Sequence, residues 1–400
     1  EAALAAHGIV SPMAAAGFGW AEGIVRVAIL ETVKADGGFE LEFDHIIIET
    51  LKEEGHEPIL FLPKDTVLGR EFHVPVYYLE GGRIVSYDGA GRLKKIWLSM
   101  QRERRRVRWF DAMAEAITRV QIDAVLLTTA YRYLRALKKS ALRYSVVPVY
   151  FIFLGVNPRE MPKFLKVARS CQPYRNIRLR VTTLRDDFGG NRPDNVCLIA
   201  PPVMSPPDVR TKRMDDVLRI GFFGHYRKGE KKLAWFLRVA EEGQFTRAVH
   251  FVLQSVPTTE RDAEETAELV QKYRGHPRIT VLTEKLIGDA WYEAIAAVDV
   301  LFLPYTAERY LYNWSALYFT AIGFQKPVIT TSILNPEILT EFDIGTIADM
   351  ENYEEFLRGM EAFVNQFSER QESYTAQLQA AAEKYSRKKF IHHLLEQSGG

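Results

Sequence analysis

The chain has 400 residues, of which 47% are hydrophobic, and its formal net charge is +1. This length indicates two domains with enough apolar residues for two cores, and the near-neutral balance does not indicate a nucleic-acid partner. Only two cysteines are present, Cys171 and Cys197, and no Cys-x-x-Cys pair occurs. That excludes a disulfide framework and a cysteine zinc cluster and favours a reducing compartment. We therefore expect a cytoplasmic protein.

Neither a cleaved signal peptide nor a membrane span is indicated by the apolar segments. Residues 1–24 are rich in Ala and Gly and have no basic start. We expect a leader that is disordered or was added in cloning, and no cleaved signal peptide. The longest apolar run, "SVVPVYFIFLGV" at 145–156, contains Pro148 and is too short to cross a bilayer.

Strand and helix patterns alternate along the whole chain. The first half has apolar runs at 25–30, 57–63, 123–129 and 146–153, with a helix pattern at 40–55. The next segment, "NVCLIAPPVMSPPDVRTKRMDDV", contains two proline pairs and is predicted to be a linker. After it, strand patterns alternate with helices near 231–243, 259–273, 288–297 and 315–324. Such alternation predicts parallel βαβ units.

These patterns predict an α/β protein of two doubly wound, Rossmann-like domains that face each other across a cleft. We place the N-terminal domain at 25–202 and the C-terminal domain at 203–385. Residues 386–400 are predicted to form a helix that packs back on the N-terminal domain. The charge is asymmetric, since residues 1–200 hold 29 Lys/Arg and 23 Asp/Glu, whereas residues 201–400 hold 23 and 28. This difference suggests that the two domains have different partners.

Four stretches of the second half carry a family resemblance: "LRIGFFGHYRKGEKKLAWFLRVAEE", "RITVLTEKLIGDAWYEAIAAVDVLFLPY", "LFLPYTAERYLYNWSALYFTAIGFQKPVITT" and "NPEILTEFDIGTIADMENYEEFL". They resemble the donor-binding domain of GT-B-fold glycosyltransferases, most similar to family 4. In the first half, the Gly37-Gly38 pair before a helix and "EEGHEPILFLP" resemble the family's opening loop and second strand. The resemblance implies a retaining transferase that uses a nucleotide-diphosphate sugar. The acceptor would be a glycan, a lipid-linked molecule or a small molecule.

The chain departs from the family at two positions around the donor-loop helix. Where the family often carries two Glu eight positions apart, this chain has Tyr312 and Thr320. Some members of the broader group have Tyr or Arg followed by Ser at this helix start, and Tyr312 with Ser315 resembles that variant. Glu308 in the same loop is a candidate to replace the missing carboxylate.

Transfer from a nucleotide sugar requires neutralisation of the leaving diphosphate. The sequence has no Asp-x-Asp motif for a metal, whereas basic side chains and helix N-termini bind phosphate without one. We therefore expect no metal or other cofactor. The expected diphosphate-binding residues are Arg227, Lys231, Lys232, Ser315 and Gly38. The expected sugar- and nucleoside-binding residues are His225, Leu286, Tyr305, Glu308, Tyr312, Trp314 and Thr320. No catalytic residue is identified.

A basic segment at 92–117 stands out in the N-terminal domain, which the resemblance implies to be the acceptor-binding domain, with the C-terminal domain binding the donor. Ile96, Met100, Val107, Phe110 and Ile117 form roughly one helical stripe, and Arg, Lys and Trp residues occupy the other faces. Such a helix can lie on an anionic membrane surface, and it can equally be a core helix with a solvated basic face. Nucleic acid is a weaker reading, because no nucleic-acid-binding motif accompanies the charge, and we expect no such partner.

Two functions outside transfer stay open. Tyr312 and Thr320 in place of Glu suit a catalytically weak GT-B protein that acts as a binding partner or scaffold. Sugar-nucleotide epimerisation would require acid–base carboxylates, which the sequence does not identify.

Overall fold

The structure, a computed structural model, describes residues 23–32, 39–68, 71–82, 84–85, 91–128, 133–185, 187, 192–204, 216–226, 231–257 and 259–396. Most of the predicted leader, the centre of the predicted linker, Gly38 and Arg227 lie outside these ranges.

The N-terminal half forms a parallel sheet of seven strands in the order β3-β2-β1-β4-β5-β6-β7. The strands are β1 Arg26–Leu30, β2 Glu57–Pro63, β3 Val76–Leu79, β4 Ala124–Leu127, β5 Val149–Phe153, β6 Ile177–Thr182 and β7 Val196–Ile199. The helices between them are α1 Phe39–Glu53, α2 Arg92–Val120, α3 Leu134–Leu137 and α4 Met161–Arg169. Strand β5 is buried along its whole length, as is usual for a parallel strand covered on both faces.

The C-terminal half forms a second parallel sheet, in the order β10-β9-β8-β11-β12-β13. This is the order of doubly wound dinucleotide-binding folds. Its strands are β8 Leu218–Tyr226, β9 Val249–Pro257, β10 Ile279–Leu282, β11 Val300–Phe302, β12 Val328–Thr330 and β13 Gly345–Ile347. The helices are α5 Leu233–Glu242, α6 Glu260–Lys272, α7 Asp289–Ala296, α8 Ala316–Gly323, α9 Pro336–Glu341, α10 Tyr353–Lys384 and α11 Arg387–Leu395. The predicted α/β class with two Rossmann-like sheets is confirmed.

The last helix joins the two halves. Helix α11 packs against α1 and β7 of the N-terminal half. Its C-terminal carbonyl groups accept hydrogen bonds from two buried side chains: Tyr150 Oη donates to Leu395 O at 2.9 Å, and Arg180 Nε donates to Leu394 O at 3.0 Å. A helix C-terminus leaves carbonyls without intrahelical donors and carries partial negative charge, so a buried Arg satisfies both.

Helix α2 differs from the predicted stripe. Phe110 and Ile117 are buried, but Ile96 and Met100 are 56% and 55% exposed. Trp109 is buried, and its Nε1 donates to Gly82 O at 3.0 Å. The reason is that the later turns of this long helix pack into the N-terminal core, whereas most apolar side chains of the first turns, apart from the buried Leu98, face solvent.

Candidate functional site

The strand order of the C-terminal sheet reverses between β8 and β11. From β8 the chain moves to one side through β9 and β10, and from β11 it moves to the other side through β12 and β13. In open α/β sheets the ligand crevice lies at such a switch point, outside the carboxyl ends of the strands. The loops that follow β8 and β11 therefore flank the expected crevice.

Lys231 and Tyr305 meet across this switch point. Lys231 lies between β8 and α5, and Tyr305 lies just after β11. The Lys231 Nζ atom is 4.7 Å from the centre of the Tyr305 ring and 4.8 Å from that of Phe222. It also donates a hydrogen bond to the carbonyl of His225. The side chain is only 6% exposed, so an ammonium group with aromatic neighbours is held at the carboxyl edge of the sheet.

Lys232 has different neighbours. Its Nζ donates to the carbonyl of Met350 and lies 4.1 Å from the centre of the Trp235 ring. The two adjacent lysines are therefore not equivalent, and Lys231 is the one beside the loop that follows β11.

The N-terminus of α8 is capped from two sides. Ser315 Oγ accepts from Tyr318 N at 3.4 Å, and Ser315 N donates to Asn335 Oδ1 at 3.4 Å. Asn335 is buried and has a φ of 45°, a left-handed conformation that Asn tolerates better than most residues. Because Ser315 N is occupied by Asn335, the next two donors are those of Ala316 and Leu317, for which the helix itself supplies no acceptor.

The loop from β11 to α8 also contacts the N-terminal half. Trp314 Nε1 donates to Thr182 Oγ1 at 2.7 Å, and Arg185 Nε donates to Leu311 O at 2.6 Å. Arg185 Nε also lies 3.4 Å from Glu337 Oε1. Thus one edge of the loop meets the carboxyl end of β6, and its other edge borders the switch point.

Gly155 shows how closely the two halves approach. Its φ is +83°, and a Cβ on this residue would lie 2.7 Å from both Asn313 Cα and Tyr312 O. Only a residue without a side chain fits this contact and this conformation.

The remaining predicted site residues differ in their burial and in their contacts. Glu308 forms a 3.5 Å ion pair with Arg159 in which both side chains are largely exposed. His225 is exposed, and Leu286 is half-buried against the C-terminal core. Tyr312 is half-buried, and burial together with the nearby Asp187 raises its pKa. Thr320 is buried, and its hydroxyl donates to Ala316 O at 2.8 Å within its own helix.

A pair of buried carboxyl groups at the end of β1 was not found from the sequence. Glu31 and Asp44 are each 1% exposed, and Thr128 Oγ1 donates to Glu31 Oε2 at 3.3 Å. Burial and the adjacent Glu31 charge raise the pKa of Asp44 well above its ordinary value. Glu31 and Asp44 are thirteen positions apart in the chain, one after β1 and the other in α1. Helix or strand periodicity therefore does not connect them.

Within the described ranges, no group of three or more His, Cys, Asp or Glu residues is arranged to hold a metal ion. No helix in the part of the chain that the structure covers is long and apolar enough to cross a membrane.

The fold defined by these two sheets and the cleft between them is GT-B, the fold of many glycosyltransferases. A glycosyltransferase from Rickettsia africae matches with a TM-score of 0.61 and 12% identity, over 94% of this chain and 96% of that one. Anabaena Alr3699/HepE in complex with UDP matches with a TM-score of 0.62 and 13% identity, over 92% and 98% of the two chains. Starch synthase IV from Arabidopsis thaliana, bound to ADP and acarbose, matches with a TM-score of 0.59 and 11% identity, over 94% and 100%.

No protein-family model matches the sequence, and no curated protein matches it. At 11–13% identity, the similarity to these structures establishes the fold.

Proposed function

We propose that the chain is a glycosyltransferase of the family 4 type that takes its sugar from a nucleotide-diphosphate sugar. The observation that carries the proposal is the position of Lys231 beside Tyr305 at the switch point of the C-terminal sheet. A buried ammonium, an aromatic ring and a helix N-terminus at this edge form a setting for a phosphate-bearing ligand. Among the similar structures, HepE is in complex with UDP or UDP-glucose and starch synthase IV is bound to ADP.

In this proposal the diphosphate is bound by Lys231, with Arg227 and Gly38 as further contacts predicted from the sequence. The first-turn N–H groups of α8, which Ser315 caps, complete the anion site. Together these charges and dipoles stabilise the leaving diphosphate in the place of a cation. The reaction is then metal-independent and, as in family 4, retains the anomeric configuration.

The sugar and nucleoside occupy the remainder of the crevice. The proposed contacts are His225, Leu286, Tyr305, Glu308, Tyr312, Trp314 and Thr320. Of these, Trp314 and Thr320 have their polar atoms in hydrogen bonds to Thr182 and Ala316. In this proposal Trp314 and Thr320 shape the pocket, whereas Tyr305 and Glu308, on the loop after β11, contact the ligand directly.

A second candidate function is a GT-B protein that binds a partner and transfers no sugar. Two observations favour it: the position of the second family Glu holds Thr320, whose hydroxyl is bonded inside the helix, and the position of the first holds Tyr312. Neither residue supplies a carboxylate to a ribose or a sugar.

Contact with an anionic membrane is proposed for the start of α2. Leu93, Ile96, Trp97 and Met100 are between 55% and 83% exposed and follow helical spacing, so they share one face. Exposed Lys94 lies beside this face, and exposed Arg104 continues it one turn after Met100. An apolar stripe with basic neighbours suits an interfacial helix.

The test is a thermal-shift and hydrolysis screen of UDP-, ADP- and GDP-sugars. A ligand present at 100 times its dissociation constant adds about 2.7 kcal/mol of stability. A donor that both stabilises the protein and is hydrolysed supports the transferase, whereas stabilisation without any turnover supports the binding protein. Binding to vesicles with and without anionic lipid, at low and high salt, tests the membrane contact separately.

A further inference from the structure

A groove in the N-terminal half lies outside the nucleotide site. It lies between α2, α3 and α4 and encloses about 260 Å³. One wall comes from Ser99, Arg102, Glu103 and Arg106 of α2, whose spacing places them on one helix face. That face is turned by roughly a third of a turn from the exposed apolar stripe on the same helix.

The floor of the groove is apolar. It is made by Leu134, Phe153, Val156, Phe164 and Val167. Phe153 and Phe164 pack edge to face with their ring centres 4.9 Å apart, which fixes the floor at the end of β5. An apolar floor open to solvent suits a ligand with an apolar part.

The rim of the groove is basic. Four cationic side chains, Arg102, Arg106, Arg135 and Lys163, face two carboxylates, Glu103 and Glu160, so positive charge is in excess by two. Arg106 is fixed by a 2.6 Å ion pair with Glu103 and by the Tyr133 ring, 4.3 Å from its guanidinium carbon. Arg135 and Lys163 are exposed at the mouth, where an anionic group would meet them first.

The inner end of the groove approaches the donor domain. Val156 lines the groove, and its neighbour Gly155 is the residue in close contact with Asn313 and Tyr312. The inner end of the groove therefore lies beside the loop that borders the proposed sugar pocket.

We infer that this groove binds an anionic amphiphile, a lipid-linked phosphate whose phosphoryl group contacts Arg135 and Lys163 and whose first apolar units lie on the Phe153–Val167 floor. This binding does not rest on the proposed glycosyltransferase function. The exposed apolar stripe on the neighbouring face of α2 would contact the membrane that supplies such a lipid.

The test is a calorimetric titration of the intact protein with farnesyl phosphate below its micelle concentration. Arg135→Gln and Lys163→Gln each remove one rim charge. We expect each variant to bind farnesyl phosphate about tenfold more weakly, because one charge-assisted hydrogen bond is lost. Lys139→Gln and Lys166→Gln remove a charge from the same two segments outside the groove, and we expect both to leave the affinity within about twofold of the original.

Farnesol and inorganic phosphate separate the two parts of the ligand. We expect both to bind at least tenfold more weakly than farnesyl phosphate. Equal affinity for farnesol would overturn the role of the charge, and equal affinity for inorganic phosphate would overturn the role of the floor. The groove assignment is also overturned if farnesyl phosphate does not bind, or binds equally to all four variants.

The same proteins are titrated with UDP, ADP and GDP. For the two rim variants we expect weaker farnesyl phosphate binding together with unchanged nucleotide binding. A wild-type protein that binds farnesyl phosphate but no nucleotide would contradict the glycosyltransferase proposal and leave the groove as an amphiphile site.

Discussion

Trp314 of the C-terminal half donates its indole N–H to Thr182 of the N-terminal half at 2.7 Å, with both side chains buried. The same indole lies 5.3 Å from the ring of Phe39 and 5.3 Å from that of Phe319, in edge-to-face contacts. Trp314 therefore links the two halves, and it immediately precedes the Ser315 that caps α8. The geometry of the proposed phosphate site is thereby coupled to the position of the N-terminal half.

Trp314→Phe tests this link. It removes the hydrogen bond and part of the buried ring, so we expect the free energy of unfolding to fall by about 1–3 kcal/mol. Trp97→Phe is the matched control, because Trp97 is 57% exposed and its replacement should cost less than about 0.5 kcal/mol. Urea denaturation measures both, and equal losses in the two variants would show that Trp314 does not join the domains.

Substitutions at Gly155 and Gly275 distinguish the cost of a positive φ from the cost of a steric clash between the two halves. Both have positive φ, +83° and +75°, but a Cβ on Gly275 meets no atom within 4 Å, whereas one on Gly155 meets the Asn313 backbone. Gly155→Ala and Gly275→Ala share the conformational cost of about 1 kcal/mol. We expect Gly155→Ala to lose at least about 1 kcal/mol more and to widen the cleft, measured by small-angle scattering. Equal stability and unchanged scattering would refute this close contact.

Lys231 and Lys232 are predicted to differ in ligand binding. Lys231→Gln should weaken nucleoside-diphosphate binding about tenfold, since it removes a charge-assisted bond at the switch point. Lys232→Gln should change it less than about threefold, because the Lys232 ammonium contacts the Met350 carbonyl. Calorimetry gives both affinities. If Lys232→Gln has the larger effect, the anion site lies nearer to β13 than we propose.

Asp44 makes stability depend on pH. Its folded pKa lies above the ordinary value of 3.8, so between these two values the folded state holds a proton that the unfolded chain has released. Stability therefore falls as pH rises through this window and levels off above the folded pKa. Asp44→Asn removes the titration, and we expect the stability of this variant relative to wild type to increase from pH 4 to pH 8.

Thermal or urea unfolding across that pH range measures the effect. The control is Glu351→Gln, which alters an exposed carboxylate. A difference between Asp44→Asn and wild type that stays constant from pH 4 to pH 8 would exclude a proton held by Asp44.

The sequence predicts the fold well where the signal is local. Helices expected near 231–243 and 315–324 are Leu233–Glu242 and Ala316–Gly323. The first has an apolar face at helical spacing and the second begins at the Ser315 cap, so each signal lies within its own segment. The alternation of strands and helices predicts parallel strands but not their order, so the switch point between β8 and β11 is known only from the structure. For residues 92–117 the sequence left a membrane-facing helix and a core-packed helix as alternatives, because periodicity identifies an apolar face but not what covers it. In the structure Phe110 and Ile117 are buried, whereas Ile96 and Met100 are exposed.

The site is predicted less completely, because its contacts join distant segments. Lys231 and Tyr305 are 74 positions apart in the chain, and only the family resemblance brought them together. Thr182, Gly155, Arg185 and Asn335 were not identified, since each is defined by its partner in another element. The Glu31–Asp44 pair was missed for the same reason. The roles of Arg227 and Gly38 stay predictions.

The most direct test of the central claim is the release of nucleoside diphosphate from a nucleotide sugar by the intact protein in excess EDTA, followed by chromatography. Donors are UDP-, ADP- and GDP-sugars, each with and without an acceptor preparation containing lipid-linked phosphate. We predict that one donor is turned over in EDTA, that acceptor increases the rate, and that Lys231→Gln decreases it at least tenfold. A folded protein that turns over none of these donors, or does so only after a divalent cation is restored, would contradict the account.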